Sequence, residues 1–238
     1  MAFVAIFIAL YLLIFMGSFL TPKHPHVLNV YFGVPGSGKT TFAAYLTKWA
    51  LHENWIIRLC RRFNNPLSRL ILNSKYLKRR IDVYSNVPIT GAYQLDPKTD
   101  IGVHMIENAK IIIDEAGIEY NNRSFKTFPP EAIYFYKYHR HYKTSVDVFS
   151  QSFDDMDITL RRLAQNFYVV RKSLIPFCVV ARKIKRKIGV DEQTHQIMDL
   201  YSMGTPIFDT KRIFAPALWK LFNSYSRKEL PKKEWPVW

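Results

Sequence analysis

Residues 29–46, NVYFGVPGSGKTTFAAYL, constrain the fold more than any other stretch of the chain. A β-rich run, VLNVYF, leads into GVPGSGKT at 33–40, which satisfies G-x-x-x-x-G-K-[ST], and a helix-compatible segment, TTFAAYLTKWALHEN, follows. Strand, glycine loop and helix in that order form a phosphate cradle. Gly33, Gly36 and Gly38 let successive backbone N–H groups turn toward phosphate oxygens without a Cβ in the way. Lys39 is spaced to reach the β- and γ-phosphates, the helix N-terminus adds its dipole, and the Thr40 hydroxyl is placed to ligate Mg²⁺. The expected ligand is ATP with Mg²⁺, held against Gly33, Val34, Pro35, Gly36, Ser37, Gly38, Lys39, Thr40 and Thr41.

The run AKIIIDEAG at 109–117 reads as a buried parallel strand that ends in two carboxylates. Ligands of parallel sheets sit at the C-terminal edge, so Asp114 is the candidate Mg²⁺ partner beside Thr40, and Glu115 the candidate base that orients an attacking water. Two adjacent acids with different tasks favour hydrolysis over transfer to a small acceptor. TSVDVFSQS at 144–152 is a further β-like run, whose Ser150 and Gln151 are candidates for the γ-phosphate or its water. With IDVYSNV at 81–87 and NFYVVRK at 166–172, five β-like segments alternate with helical ones. That pattern predicts an α/β P-loop NTPase fold with a central, mainly parallel sheet flanked by helices.

The first twenty residues, MAFVAIFIALYLLIFMGSFL, carry no charge; as a helix, 2–20 would be about 28 Å long, close to a bilayer's hydrocarbon core of roughly 30 Å. The reading is an N-terminal transmembrane helix over 1–21. Positive charge begins at Lys23, which keeps the rest of the chain in the cytoplasm. A cytoplasmic P-loop ATPase domain would then occupy 22–205, and a basic, Trp-containing C-terminal tail 206–238. The chain has 34 Lys+Arg against 19 Asp+Glu, a net charge of +15. Clustering of that charge points to a polyanionic neighbour, either nucleic acid or anionic lipid. Two cysteines, Cys60 and Cys178, support neither a disulfide framework nor a zinc site.

In order along 28–190, the segments GVPGSGKTT, VYSNVPI (83–89), IIIDEAG (111–117), HRH (139–141) followed by VDVFSQS, and MDITLRRLA (156–164) resemble the zonular occludens toxin (Zot) N-terminal domain family, which includes the filamentous phage (inovirus) morphogenesis ATPases. Asn86, His139, Arg140, His141, Gln151, Asp157 and Arg161 match family motif positions. The resemblance implies a homo-oligomeric ATPase of the host bacterial inner membrane, for which a hexameric ring is one arrangement. Such an ATPase drives assembly and extrusion of a single-stranded-DNA virion. Its implied partners are membrane lipids and phage coat and assembly proteins, with single-stranded DNA as a further candidate. The chain differs from the family's usual order in carrying its apolar segment before the ATPase domain.

A ring ATPase takes a positive group from a neighbour to stabilise charge on the transferred phosphoryl group. Arg140, Arg161 and Arg162 are the candidates, with a surface salt bridge as the alternative for the latter two, which are expected to open an amphipathic helix after the acidic turn DDMD. Residues 55–80 hold eight Lys/Arg and no acid, a basic amphipathic insertion suited to a membrane surface or a nucleic acid backbone. A second cluster at 171–187 holds seven and reads as a β-hairpin. The aromatic run AIYFYKYHRHY at 132–142 is expected to be a helix with its tyrosines in the core. Three functions stay open: a phage-extrusion ATPase, a DNA-translocating or packaging ATPase, and a toxin-like or scaffold protein with vestigial nucleotide binding.

Overall fold

A computed structural model describes residues 26–63, 65, 68–69, 72, 79–116, 130–190 and 197–222. The expected transmembrane helix over 1–21 and the last part of the tail lie outside them; no helix among the described residues is long and apolar enough to cross a membrane. The described residues fall into two compact units, one of 26–49 with 82–222, the other within 50–81.

Nine strands form one sheet in the larger unit: β1 (Leu28–Phe32), β2 (Asp82–Ser85), β3 (Tyr93–Gln94), β4 (Ala109–Ile113), β5 (Ser145–Ser150), β6 (Asn166–Lys172), β7 (Cys178–Val190), β8 (Ile197–Met203) and β9 (Thr210–Phe214). Their order is β3-β2-β4-β5-β1-β6-β7-β8, with β9 also on β7. All pairings from β3 through β6 are parallel, and those of β7 with β6, β8 and β9 are antiparallel. The five strands read from the sequence are five of the six parallel ones, the short β3 being the sixth, and the hairpin expected at 171–187 is β6–β7. The sequence reading stopped short at the C-terminus: the segment assigned to a tail supplies β9 and a 3₁₀ turn, Pro216–Leu221, in which Ile213, Ala215 and Leu218 are buried while Phe214 and Trp219 face out.

Strand alternation sorts the two faces. Leu28, Val30 and Phe32 of β1 point to one side, with Ile111, Ile113, Val146, Val148 and Phe167 of its neighbours. Helices α3 (Pro130–Tyr138) and α4 (Ile158–Leu163) cover that side through Ala132, Phe135, Tyr136 and Leu160. Half of the aromatic run is core as expected; Tyr134 and Tyr138 face out. The other face carries a row of rings, Phe149–Tyr31–Tyr168, stacked at 4.7 and 4.9 Å, and α1 (Lys39–Leu51) packs Phe42 onto Tyr31 at 5.3 Å.

That second face also buries charge. Lys110 Nζ pairs with Asp147, Asn29 Nδ2 donates to Asp147 Oδ1 at 2.7 Å, and Asn166 Nδ2 donates to Asn29 Oδ1 at 2.9 Å. One polar chain thus ties β4, β5, β1 and β6 in register. A lysine inside the run AKIII gave no sign of burial in the sequence, since only the opposing strand supplies its partner.

In the smaller unit, α2 (Trp55–Cys60) is capped by Asn54, whose Oδ1 accepts from Ile56 N at 3.0 Å. Ile57 and Cys60 are buried while Arg58, Arg61 and Arg62 are exposed, so the described start of the basic insertion is amphipathic. Arg61 pairs with Glu53 at 2.9 Å.

Removing one partner of a buried pair strands the other charge, a loss of about 3–5 kcal/mol, whereas replacing both with apolar groups is close to neutral. Lys110→Met is therefore expected to destabilise the chain by that amount. Lys110→Met combined with Asp147→Leu should recover most of it. Denaturant titration of the detergent-solubilised chain checks this, and a double variant no more stable than the single one refutes it.

Candidate functional site: a phosphate loop at the sheet edge

β1 and β5 lie side by side and parallel, yet the helices that follow them cover opposite faces of the sheet, α1 on the Tyr31 side and α4 on the Val30 side. Such a divergence opens a crevice at the C-terminal ends of the strands. The glycine loop 33–38 fills its rim. Gly33 N donates to Ser150 O at 3.2 Å, so the loop starts as a continuation of the β1–β5 ladder. Gly36 and Gly38 hold φ of 75° and 98°, in the region that favours glycine. A Cβ on Gly38 would also lie 2.7 Å from Val179 Cγ2 of β7, and one on Gly33 would lie 2.6 Å from Val170 O of β6. Gly36 is thus favoured by its backbone angle, Gly33 by its neighbours, and Gly38 by both.

Lys39 opens α1, and its Nζ donates to Gly33 O at 2.7 Å and Val34 O at 3.3 Å, which puts the ammonium in the mouth of the loop. Burial pushes its pKa down, with Asp114 and Glu115 acting the other way. Thr40 Oγ1 donates to Asp114 Oδ2 at 2.9 Å, joining the first turn of α1, which follows β1, to the end of β4 across the one intervening strand, β5. Ser37 and Lys39 are buried, Thr40 and Thr41 are half-buried, and Val34 stands out at the loop tip.

The Asp114 carboxyl is nearly inaccessible, and its peptide is clamped from β2. Asn86 Nδ2 donates to Asp114 O and Asp114 N donates to Asn86 Oδ1, both at 2.8 Å. This two-bond bracket gives a positioning task to a residue that the sequence identified only as a motif match; its partner is 28 residues away and no spacing rule connects them. Glu115 follows with φ 53°, a left-handed conformation costing roughly 1 kcal/mol or more for a side chain of this kind, and its N–H donates to Asp114 Oδ1 at 3.0 Å. The kink breaks the strand alternation, and Glu115 is exposed where Asp114 is buried.

Of the remaining candidates, Gln151 is exposed one residue beyond β5, on the same edge as the loop. Ser150 is buried and its hydroxyl donates to Ser152 O at 3.0 Å. Arg161 and Arg162 lie in the last turn of α4 rather than opening it, because Asp157 is its N-cap and accepts from Thr159 N at 2.6 Å. Arg161 is spoken for within its own chain: it pairs with Asp154 at 3.6 Å and its guanidinium sits 4.9 Å over the Phe153 ring. Arg140 stands at the far edge, where its Nε donates at 3.3 Å to O of His26, which precedes β1. His139 is buried with Nδ1 2.7 Å from Tyr136 O, closing the end of α3, and burial lowers its pKa; His141 is exposed in the same turn.

The N-terminal domain of zonular occludens toxin from Neisseria meningitidis superposes with a TM-score of 0.48 at 16% identity, covering 83% of this chain and 98% of that one. The genome packaging NTPase B204 from Sulfolobus turreted icosahedral virus 2, in complex with ATP-gammaS, gives 0.39 at 12% identity, covering 78% and 100%. The RadB recombinase gives 0.36 at 16%, covering 67% and 81%. No curated protein sequence matches the chain. The sequence profile of the family described as zonular occludens toxin (Zot) matches residues 91–225, more than half of the chain. That span begins after the glycine loop and takes in Asp114, Glu115, the His139–His141 turn, Asp157 and Arg161, and on this match the chain belongs to the zonular occludens toxin family.

Proposed function

We propose that this chain is a membrane-anchored, Mg²⁺-dependent ATP hydrolase that powers assembly and extrusion of a filamentous single-stranded-DNA phage through the host envelope. The observation that carries the enzymatic reading is the 2.9 Å contact of Thr40 with Asp114, which gathers a hydroxyl and a carboxylate at the rim of a glycine loop. Membrane anchoring in the bacterial inner membrane rests on the uncharged residues 1–20 and the positive flank behind them. The phage reading rests on family membership and the motif series.

Both oxygens suit a hard, oxygen-seeking cation. Burial is the leading influence on Asp114 and pushes its pKa up, against the hydrogen bonds from Thr40 and Glu115 N and the nearby Lys39, so its negative charge is short of compensation. Thr40 and Asp114 would therefore hold Mg²⁺, which when bound neutralises charge between the β- and γ-phosphate oxygens. The chain's own groups do the rest. Loop N–H groups and Lys39 seat the phosphates, and Glu115, turned outward by its left-handed backbone, orients the attacking water and accepts its proton. Arg140 lies at the edge opposite its own loop, so a role in phosphoryl transfer requires a second copy; Arg161 would have to leave Asp154 to serve the same end. A homo-oligomer is the assembly that suits them.

The alternative, a motor that grips DNA directly, draws on the basic strand β7 and the basic stretch 55–80. Phosphate release by the detergent-solubilised full chain, with and without single-stranded DNA, separates the two: a rate raised by DNA favours the alternative. Glu115→Gln is expected to bind ATP and lose at least about a hundredfold in turnover. Unchanged turnover would take Glu115 out of the mechanism, and loss of ATP binding in Lys39→Ala without any effect on phosphate release would refute hydrolysis at this loop.

Asp114 also yields a pH signature. A carboxyl whose pKa is raised on folding binds protons more tightly in the folded state, so stability falls as pH climbs from the ordinary aspartate value through the raised one. In chelator at neutral pH, Asp114→Asn should melt higher than the parent, with the difference shrinking as the buffer is acidified below the normal aspartate range. Added Mg²⁺ with ATP should raise the melting temperature of the parent only. A variant that melts lower at every pH would show that the carboxylate is net stabilising.

A further inference from the structure

The turn that joins β6 to β7, and the 3₁₀ segment next to it, present large apolar side chains to solvent. Leu174 is fully exposed, Ile175 59%, Phe177 63%, Phe214 58% and Trp219 53%. They form one patch: Cys178 pairs with Phe214, Phe177 O accepts from Ala215 N at 2.8 Å, and the Phe177 and Trp219 rings meet edge-on at 6.2 Å. Contiguous apolar surface of this kind marks an interaction site.

We propose that this tip inserts its apolar side chains among the headgroups of an anionic bilayer, with a basic collar on the lipid phosphates. The collar is Arg171 and Lys172 at the end of β6, Arg212 on β9 and Lys220 beside Trp219, all exposed. No acidic residue occurs in 166–190 or in 210–222. A rim of one sign around an apolar tip complements anionic lipid, for which each Lys or Arg near the surface adds roughly fivefold in affinity. Self-association through this tip would set one basic collar against another. Phe177, Phe214 and Trp219 could stack on bases, but Leu174 and Ile175 in the turn have no such face and suit acyl chains instead.

The backbone of the tip is prepared for a less polar setting. Ser173 N donates to Cys178 O at 2.9 Å, Cys178 N to Ile175 O at 3.3 Å, and Ile175 N to Ser173 Oγ at 3.1 Å, so several of the turn's N–H groups are satisfied within it. Phe177 is held at φ 61°, which turns its ring away from the strand alternation and out toward Trp219. Trp and Phe beside basic residues are the side chains that settle at a membrane interface. The inference stands on this patch alone and needs neither ATP hydrolysis nor an anchor at 1–21.

The test uses the full chain with Cys60→Ala and Cys178→Ala, carrying an environment-sensitive fluorophore on Leu174→Cys, on Ile175→Cys, or on Lys98→Cys as a control in the exposed turn between Asp96 and Asp100. Each is mixed with phosphatidylcholine vesicles with or without phosphatidylglycerol, some bearing a nitroxide on the acyl chain. With phosphatidylglycerol, emission from 174 and 175 should rise severalfold and be quenched by the nitroxide, while the label at 98 does neither. Changing the four collar residues to Gln should abolish the quenching. Two labelled sites guard against a single misfolded variant. Unquenched labels at both tip positions would overturn the proposal, as would an emission change that needs no lipid and follows protein concentration or added single-stranded DNA.

Discussion

Three segments far apart in sequence meet at the hydrogen bond between Thr40 and Asp114, and the candidate site exists only because they do. Thr40 arrives on the first turn of α1, Asp114 at the end of β4, and Asn86 from β2 fixes the Asp114 peptide from its other side. Neither a strand end nor a helix start would hold a carboxylate in a nearly dry setting by itself. Clamping the peptide of Asp114 leaves its side chain few places to go, and the hydroxyl of Thr40 is one of them. The unusual backbone at Glu115 follows from the same constraint: with the peptide before it pinned, the chain turns sharply to leave the sheet.

The parts of the fold that depend on local pattern were legible from the residues. Apolar runs ending in polar groups marked five of the six parallel strands, and the glycine loop with its Lys-Thr start fixed where α1 begins. Contacts between distant strands were not legible. Lys110 looked like an interruption of a strand, and only Asp147, two strand positions along on the neighbour, accounts for its burial. Residues 210–222 lack long apolar periodicity and read as a tail, although β9 pairs with β7 and the turn after it is tied to Ile89 and Thr90 through Phe222 and Leu221 O. For the arginines, charge was legible but the edge of the sheet they stand on was not, and that edge decides which phosphate they could reach.

Charge is handled differently inside and outside the sheet. Within it, every cation that enters the parallel core is answered: Lys110 by Asp147, Lys39 by loop carbonyls. On the outer strands the cations are more numerous than their acidic partners: Lys185 pairs with Asp209 and Arg182 donates to Gly204 O, while Arg171 and Lys172 beside the β6–β7 turn are exposed. The positive surplus is therefore a property of the antiparallel extension and the basic stretches rather than of the loop crevice, where Lys39 faces the two acids Asp114 and Glu115.

Val179 gives that extension a second meaning. Its methyl groups form the wall against which Gly38 rests, so the last glycine of the phosphate loop is shaped by a strand that lies beyond the parallel core. A fragment trimmed at the end of β6 would keep every residue of the loop and still leave it unsupported on one flank. An autonomous piece of this chain that keeps the loop supported on both flanks has to extend past residue 179, and a smaller side chain at 179 would still not admit one at 38, whose φ of 98° favours glycine by itself.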